Sequence, residues 1–154
     1  NNYAKSKLQD EVLLTEASNP YYILRLPGLF GGGRKSGIIY NVIVKLLQDT
    51  LPNIEDKQKS WSSMHVDDAA YVISQLTNKD ITNKILNIGY GMPQSIFRLI
   101  DILKNIMNKN NVDDINVDDN WVCLDVSKQK EIIGELMFSW ELRLSEEVKI
   151  ITNG

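Results

Sequence analysis

The feature that most constrains this chain is an alternation. Short β-rich runs closed by Gly or Pro take turns with longer stretches whose apolar residues repeat at helical spacing. Tyr21-Tyr22-Ile23-Leu24-Arg25-Leu26 is one such run, and it stops at Pro27-Gly28. After Gly31-Gly32-Gly33, residues 37–50 place Ile38, Ile39, Val42, Ile43, Leu46 and Leu47 on one wide apolar face, the mark of a helix against a core. Residues 61–66 read as a strand, and Asp67 as the N-cap of a helix over 68–76 with Val72, Ile73 and Leu76 inward. Residues 85–88 read as another strand, closed by Gly89-Tyr90-Gly91. Pro93 then opens a helix to 107. Strands that alternate with helices predict an α/β fold with parallel pairing.

The two ends follow the same logic. Residues 3–17 predict a helix with Ala4, Leu8 and Val12 on one stripe, ended by Asn19-Pro20 because the residue before proline avoids helical geometry. In the last third, 115–117 and 121–124 read as short strands. Ser127 reads as the cap of a short helix that ends at Gly134, and Ser145 as the start of a final helix with Glu146 and Glu147 in its first turn.

Composition narrows the function classes. A length of 154 residues suits one domain. The single cysteine, Cys123, makes no internal disulfide and reads as a small buried hydrophobe, so a reducing, cytoplasmic setting is expected. One Cys and one His fall short of the roughly four ligands of a structural zinc site, so no metal is expected. A formal net charge of −3 gives no basic footprint for nucleic acid. No apolar run approaches the roughly 20 residues that span a bilayer, so no membrane partner is expected.

Among residues that could carry chemistry, Tyr3 and Lys7 come first. Four apart on a helix, they share a face. A nearby ammonium favours the phenolate, and such a pair can exchange a proton with an alcohol or carbonyl oxygen. On spacing alone the pair is commonplace. His65 with Asp67 and Ser62 or Ser63 raises a hydrolase triad, but no nucleophile elbow accompanies it, and a histidine packed beneath a site is the simpler reading. Arg25 on an apolar strand implies a buried charge whose partner is Asp67, Asp68 or Asp125. Trp61, Trp121 and Trp140 read as core or interface aromatics.

The company these residues keep carries a resemblance. Tyr3-Ala4-Lys5-Ser6-Lys7 looks like a Tyr-x-x-x-Lys catalytic motif, with Glu11 further along the helix. Ile23-Leu24-Arg25-Leu26-Pro27-Gly28-Leu29-Phe30-Gly31, Met64-His65-Val66-Asp67-Asp68, Leu86-Asn87-Ile88-Gly89 and Leu124-Asp125-Val126-Ser127-Lys128 follow in order. The ordered set resembles the second half of an extended short-chain dehydrogenase/reductase of the NAD-dependent epimerase/dehydratase family. The resemblance implies the C-terminal part of a Rossmann-like doubly wound sheet plus a smaller α/β substrate-binding region across residues 1–154. The Gly-rich turn that cradles a pyrophosphate is missing, and Gly89-Tyr90-Gly91 lacks the third glycine of that fingerprint. The abrupt Asn1-Asn2-Tyr3 opening therefore reads as a cut just before a catalytic helix, with the dinucleotide-binding half upstream.

The resemblance also implies roles. Tyr3 is the general acid/base, and Lys7 holds the nicotinamide ribose and lowers the tyrosine pKa. The backbone of Pro27, Gly28 and Leu29 passes the nicotinamide of NAD or NADP. Gly28, Arg34, Lys35 and Tyr40 face a carbohydrate or nucleotide-sugar substrate. A homodimer or higher self-association through the Tyr3 helix is expected. Two departures stand out. Gly28 occupies a position where the family often has a substrate-contacting Asn. Trp61 and its serine neighbours occupy a place where members that bind a sugar diphosphate often carry Arg, a role then left to Lys57, Lys59 or Arg34. A second reading is a non-catalytic dinucleotide- or ligand-binding or dimerisation module of the same fold.

Overall fold

A computed structural model describes residues 1–17, 20–53, 61–79, 84–113 and 121–153. In chain order the elements are α1 (Asn2–Glu16), β1 (Tyr22–Arg25), β2 (Gly28–Phe30), α2 (Ile38–Leu47), β3 (Ser63–His65), α3 (Val66–Thr77), β4 (Lys84–Asn87), α4 (Ile96–Met107), α5 (Ser127–Ile133) and α6 (Trp140–Asn153). The fold is α/β, and both ladders between the described strands are parallel. The strand expected at 115–117, and Lys57 and Lys59, lie outside the described residues.

Pro27 organises the strands. The run from Tyr22 does not simply stop there; it changes partner. Tyr22 to Arg25 pair in register with Lys84 to Asn87. Proline has no N–H to give a ladder, and after it Gly28 to Phe30 pair with Ser63 to His65. The described strands therefore form two two-stranded sheets, β1–β4 and β2–β3. The β2 strand is an addition to the sequence reading, which took 28–33 as a loop exit.

Two apolar clusters flank this crossover. One joins α2, α4 and α6 through Val42, Ile43, Leu46, Leu99, Leu103, Trp140 and Leu144, and reaches Phe30 of β2. The other packs Ala69, Val72 and Leu76 of α3 against Leu86 and Ile88, and includes Met64 of β3. Ile73, expected inward, is exposed, and so is Leu47. Side chains alternate across a strand, so Met64 enters the second cluster while Ser63 and His65 meet α6.

Two buried glutamines satisfy backbone groups beside β3 and just after β4, where no further strand runs among the described residues. The Gln94 amide spans Ser63: its Oε1 accepts from the Ser63 N–H at 2.6 Å and its Nε2 donates to the Ser63 carbonyl at 3.1 Å. Gln129 does the same for Gly89, at 3.0 Å on each side. The segment expected as a strand at 121–124 reduces to one antiparallel bridge, Val122 with Gln94.

Helix boundaries differ from the sequence reading for local reasons. Ser95 caps α4 by accepting from the Arg98 N–H, so the helix begins after Pro93. The N-cap of α3 is His65, whose ring nitrogen accepts from the Asp67 N–H; Asp67 lies inside the first turn. Ser127 is not a cap either, because its N–H is taken by the Asp125 carboxylate at 3.0 Å. The helix α6 starts at Trp140, five residues before Ser145, pulled in by the buried indole. Gly134 does end α5, with φ +80°.

Because Ser63 is buried, replacing Gln94 by Leu leaves a backbone N–H and C=O unmet at once. Gln94→Leu should destabilise the fold by about 2–5 kcal/mol, read from denaturant unfolding. A loss under about 0.5 kcal/mol would show that the amide is not what satisfies β3.

Candidate functional site

The chain exit from β2 builds the candidate site. Gly31, Gly32 and Gly33 all take positive φ, so the backbone folds back sharply over β3. At Gly31 the approach is so close that a Cβ would lie 2.2 Å from His65 Nε2. Only glycine fits there.

Beneath this loop lies a buried polar network. His65 Nδ1 accepts the Asp67 N–H at 3.2 Å, so the ring proton sits on Nε2, which donates to Glu147 Oε1 at 3.2 Å. The His65 backbone N–H donates to the Tyr90 hydroxyl, which in turn donates to Asp68 Oδ2 at 2.5 Å. Burial, helped by that carboxylate, holds the Tyr90 phenol well above its ordinary range. The fully buried Asp68 also takes the Arg143 guanidinium, which meets Glu146 at 2.8 Å and lies over the Phe138 ring at 4.3 Å. The Asp68 hydrogen bonds push the Arg143 pKa up, so it stays charged. His65 is thus fully committed, and the triad reading has no serine on it. Ser63 Oγ accepts instead from the Trp140 indole at 3.1 Å.

Two neighbouring cavities flank the loop. One, of about 250 Å³, is lined by Gly28, Leu29, Phe30, Arg34, Ser36, Gly37, Ile38, Ile39, Trp61 and Ser63. The other, of about 310 Å³, holds Gly33, Arg34, Lys35, Tyr40, Glu147, Ile150 and Ile151. The structure therefore brings Gly28, Leu29 and Arg34 together, and places Arg34, Lys35 and Tyr40 together beside them. Arg34 belongs to both. Its guanidinium is oriented by Ser36 Oγ at 3.0 Å and the Leu29 carbonyl at 3.4 Å. Pro27 is the hinge at which β1 leads into β2.

Tyr3 and Lys7 line neither cavity. They sit on α1, which has no buried residue. Tyr3 is 70% exposed, and the Leu8 and Val12 stripe expected to face a core is exposed too. The Lys7 ammonium is held by Asp10 at 3.0 Å, and that hydrogen bond raises its pKa.

What ties α1 to the body is Glu11. Its carboxylate takes the Arg25 Nε at 2.9 Å and Nη2 at 2.6 Å. Arg25 is thus an exposed strand-end cation, and its partner is none of the three aspartates expected. Asp68 serves Arg143, Asp125 serves the Ser127 N–H, and Asp67 is exposed. Sequence reasoning missed Arg143, Glu147, Gln94 and Gln129, all of which pair with residues distant in the chain. Cys123 is exposed rather than a buried hydrophobe, and Trp121 is exposed as well.

No protein-family model matches the chain, and no curated protein matches its sequence. Solved structures do match. The UDP-glucose 4-epimerase of Thermotoga maritima, solved with UDP-glucose, superposes with a TM-score of 0.72 at 21% identity, over 97% of this chain and 52% of that one. The UDP-glucuronic acid 4-epimerase of Bacillus cereus, solved with UDP-glucuronic acid and NAD, gives 0.71 at 20%, over 92% and 48%. The dTDP-glucose 4,6-dehydratase of Bacillus anthracis, solved with NAD, gives 0.71 at 17%, over 86% and 44%.

Two predictions follow from this geometry. Gly31→Ala meets His65 and carries φ +90°, so it should cost about 2–4 kcal/mol. Gly33→Ala, with φ +78° and open space around it, should cost only about 1 kcal/mol. Equal losses in thermal unfolding would contradict the close approach. The second prediction concerns pH. Arg25 holds the Glu11 pKa below its ordinary value. The pair's contribution is therefore complete above about pH 4.3, the unfolded carboxyl value, and lost as pH falls through the lowered one. Hydrogen exchange in α1 should quicken across that window, and Glu11→Gln should remove the step. A step that survives Glu11→Gln would assign it to another carboxylate. The chain thus carries the fold of the NAD-dependent nucleotide-sugar epimerases and dehydratases it superposes on, and spans about half the length of each.

Proposed function

We propose that this chain supplies the catalytic helix and the substrate side of an NAD(P)-dependent nucleotide-sugar epimerase, dehydratase or reductase. The observation that carries the reading is the convergence of Gly28, Leu29 and Arg34 on one preformed cleft in a fold shared with enzymes of that chemistry. The Tyr3 and Lys7 spacing on α1 adds to it.

The residues divide the work. Pro27 turns the backbone so that Gly28 and Leu29 form a wall for the nicotinamide of NAD or NADP. The cofactor, when bound, accepts and returns a hydride at a carbon of the sugar. Tyr3 takes the proton of the hydroxyl at that carbon and gives it back. Lys7 orients the ribose beside the reacting hydroxyl; for this its ammonium leaves Asp10, an exposed pair worth little. Arg34, held by Ser36 and Leu29, meets the anionic part of the substrate, with Lys35 and Tyr40 in the adjoining cavity.

A pyrophosphate cradle of the Gly-rich kind is not among these residues, so binding of NAD by the 154-residue chain should be weaker than about 1 mM. Calorimetric titration checks this, and micromolar binding would refute it. Expressed together with whatever its gene encodes before Asn1, the protein should lose turnover of a nucleotide sugar on Tyr3→Phe while keeping NAD. Unchanged turnover would overturn the role of Tyr3. No described helix is long and apolar enough to cross a membrane.

A further inference from the structure

The second cavity, of about 310 Å³, has a charged floor that the proposed chemistry leaves unused. Glu147, Ile150 and Ile151 stand three and four apart on α6, so they share one face of that helix. The face lines the cavity together with Gly33, Arg34, Lys35 and Tyr40. Of these residues Glu147 is the one whose side chain is buried, with 5% of it exposed.

The Glu147 carboxylate is only half satisfied. Its Oε1 accepts the His65 Nε2–H at 3.2 Å. The other ring nitrogen, Nδ1, already accepts the Asp67 N–H. In this arrangement the imidazole gives Glu147 one hydrogen bond and no positive charge. Among the described residues, Oε2 has no partner. Nor is it sealed in the interior: the unpartnered polar side-chain atom that is fully enclosed is the Tyr22 hydroxyl. Oε2 therefore opens on the cavity that Glu147 lines. A buried carboxylate ordinarily has a cation or several donors against it. Asp68 follows that rule within this fold, with Arg143 and the Tyr90 hydroxyl both on it.

The two cations of the lining do not fill the role. Arg34 turns its guanidinium to Ser36 Oγ and the Leu29 carbonyl. Lys35 is exposed, and no ion pair joins it to Glu147. The rest of the lining suits one kind of visitor. Tyr40 supplies an aromatic ring, whose face attracts a cation, and Ile150 and Ile151 supply aliphatic surface. A carboxylate floor, an aromatic ring and an aliphatic wall together match an ammonium head on a short hydrocarbon body.

We infer that the second cavity binds a small ligand carrying a primary ammonium group, which donates to Glu147 Oε2 while its hydrocarbon part lies against Ile150 and Ile151. The inference goes beyond the substrate reading and does not depend on it. Among the described residues Arg34 alone lines both cavities, and neither Glu147 nor the rest of α6 lines the cleft beside β2.

The test uses the 154-residue chain with n-butylammonium as the probe and n-butanol as its uncharged control. Methyl carbon–proton spectra, with Ile150 and Ile151 assigned by Ile→Val replacement, report on the cavity. Butylammonium should move both sets of methyl resonances and leave Ile38 and Ile39 of the cleft in place. Its Kd should be of order 1–10 mM, within reach of so small a ligand. Butanol should move none of these resonances at the same concentration. Glu147→Gln keeps an acceptor for His65 and should weaken butylammonium binding about ten-fold or more. Lys35→Gln should change the affinity by less than about three-fold. Methyl resonances that stay in place at about 100 mM butylammonium, of order ten times the expected Kd, would overturn the proposal. Equal binding of butanol, or equal binding by Glu147→Gln, would overturn it as well, because the carboxylate would not be the recognising group. A gain above about ten-fold in Lys35→Gln would make Lys35 the carboxylate's own occupant, and the external ligand would be refuted. If Glu147→Gln fails to fold, Ile150→Trp replaces it, at an exposed position on the cavity wall. That variant should abolish the Ile151 shifts, and undiminished shifts would overturn the proposal.

Discussion

The rest of the structure depends on the buried charges that join α6 to β3 and α3. Asp68 is fully buried and meets Arg143 and the Tyr90 hydroxyl, while His65 meets Glu147. A carboxylate in that position is tolerable only because it is paired and hydrogen-bonded on several sides. Removing one partner would strand a charge in the interior, which costs far more than a surface pair contributes. The network therefore fixes where α6 lies, and α6 supplies Trp140 behind Trp61 and Glu147 beneath the second cavity. The shape of the cleft beside β2 follows from electrostatics inside the fold rather than from the loop that covers it.

Much of this was legible from the sequence, in a graded way. Helical spacing placed α2 and α4 well, because Val42, Leu46, Leu99 and Leu103 each make a full turn of burial. The Gly31-Gly32-Gly33 loop was legible for the same local reason, since positive φ favours glycine. Illegible were the pairings that join distant positions. Arg25 looked buried because it ends an apolar strand, yet it reaches α1 and finds Glu11. Asp67 looked like a cap because its neighbour His65 is rarely one; here the imidazole does the capping. The restart of the strand after Pro27 could not be read locally, since its partner β3 lies more than thirty residues on. Of the candidate site, Gly28, Leu29 and Arg34, expected on the cofactor and substrate sides, line one cavity, and Trp61, expected as a core or interface aromatic, packs against the core cluster at its edge.

The two parts of the proposed chemistry rest on different physics. The cleft is organised by the packed body: its walls belong to β2, α2 and β3, and its backbone is satisfied by Gln94. The Tyr3 and Lys7 helix is not. Among the described residues its side-chain attachment is the two-pronged Glu11–Arg25 pair, and its apolar residues Leu8, Val12 and Leu13 face outward. An exposed ion pair is a weak tether, screened by salt, and a helix of this length holds little stability of its own in water. In the proposed reading, positioning of Tyr3 against a sugar hydroxyl would accordingly need a further surface laid on α1, whereas the cleft beside β2 is formed by the packed body.

That contrast is the central claim, and native-state hydrogen exchange of the 154-residue chain tests it most directly. Amides of β3, Gly89 and α4 should exchange only on global unfolding, with protection equal to the full stability of the fold. Amides of α1 from Lys5 to Glu16 should exchange by local opening, faster by two or more orders of magnitude, which is about 3 kcal/mol or more below the global value. Protection in α1 equal to that of β3 would contradict the account, because it would mean that the Tyr3 and Lys7 helix is packed into the body as firmly as the cleft.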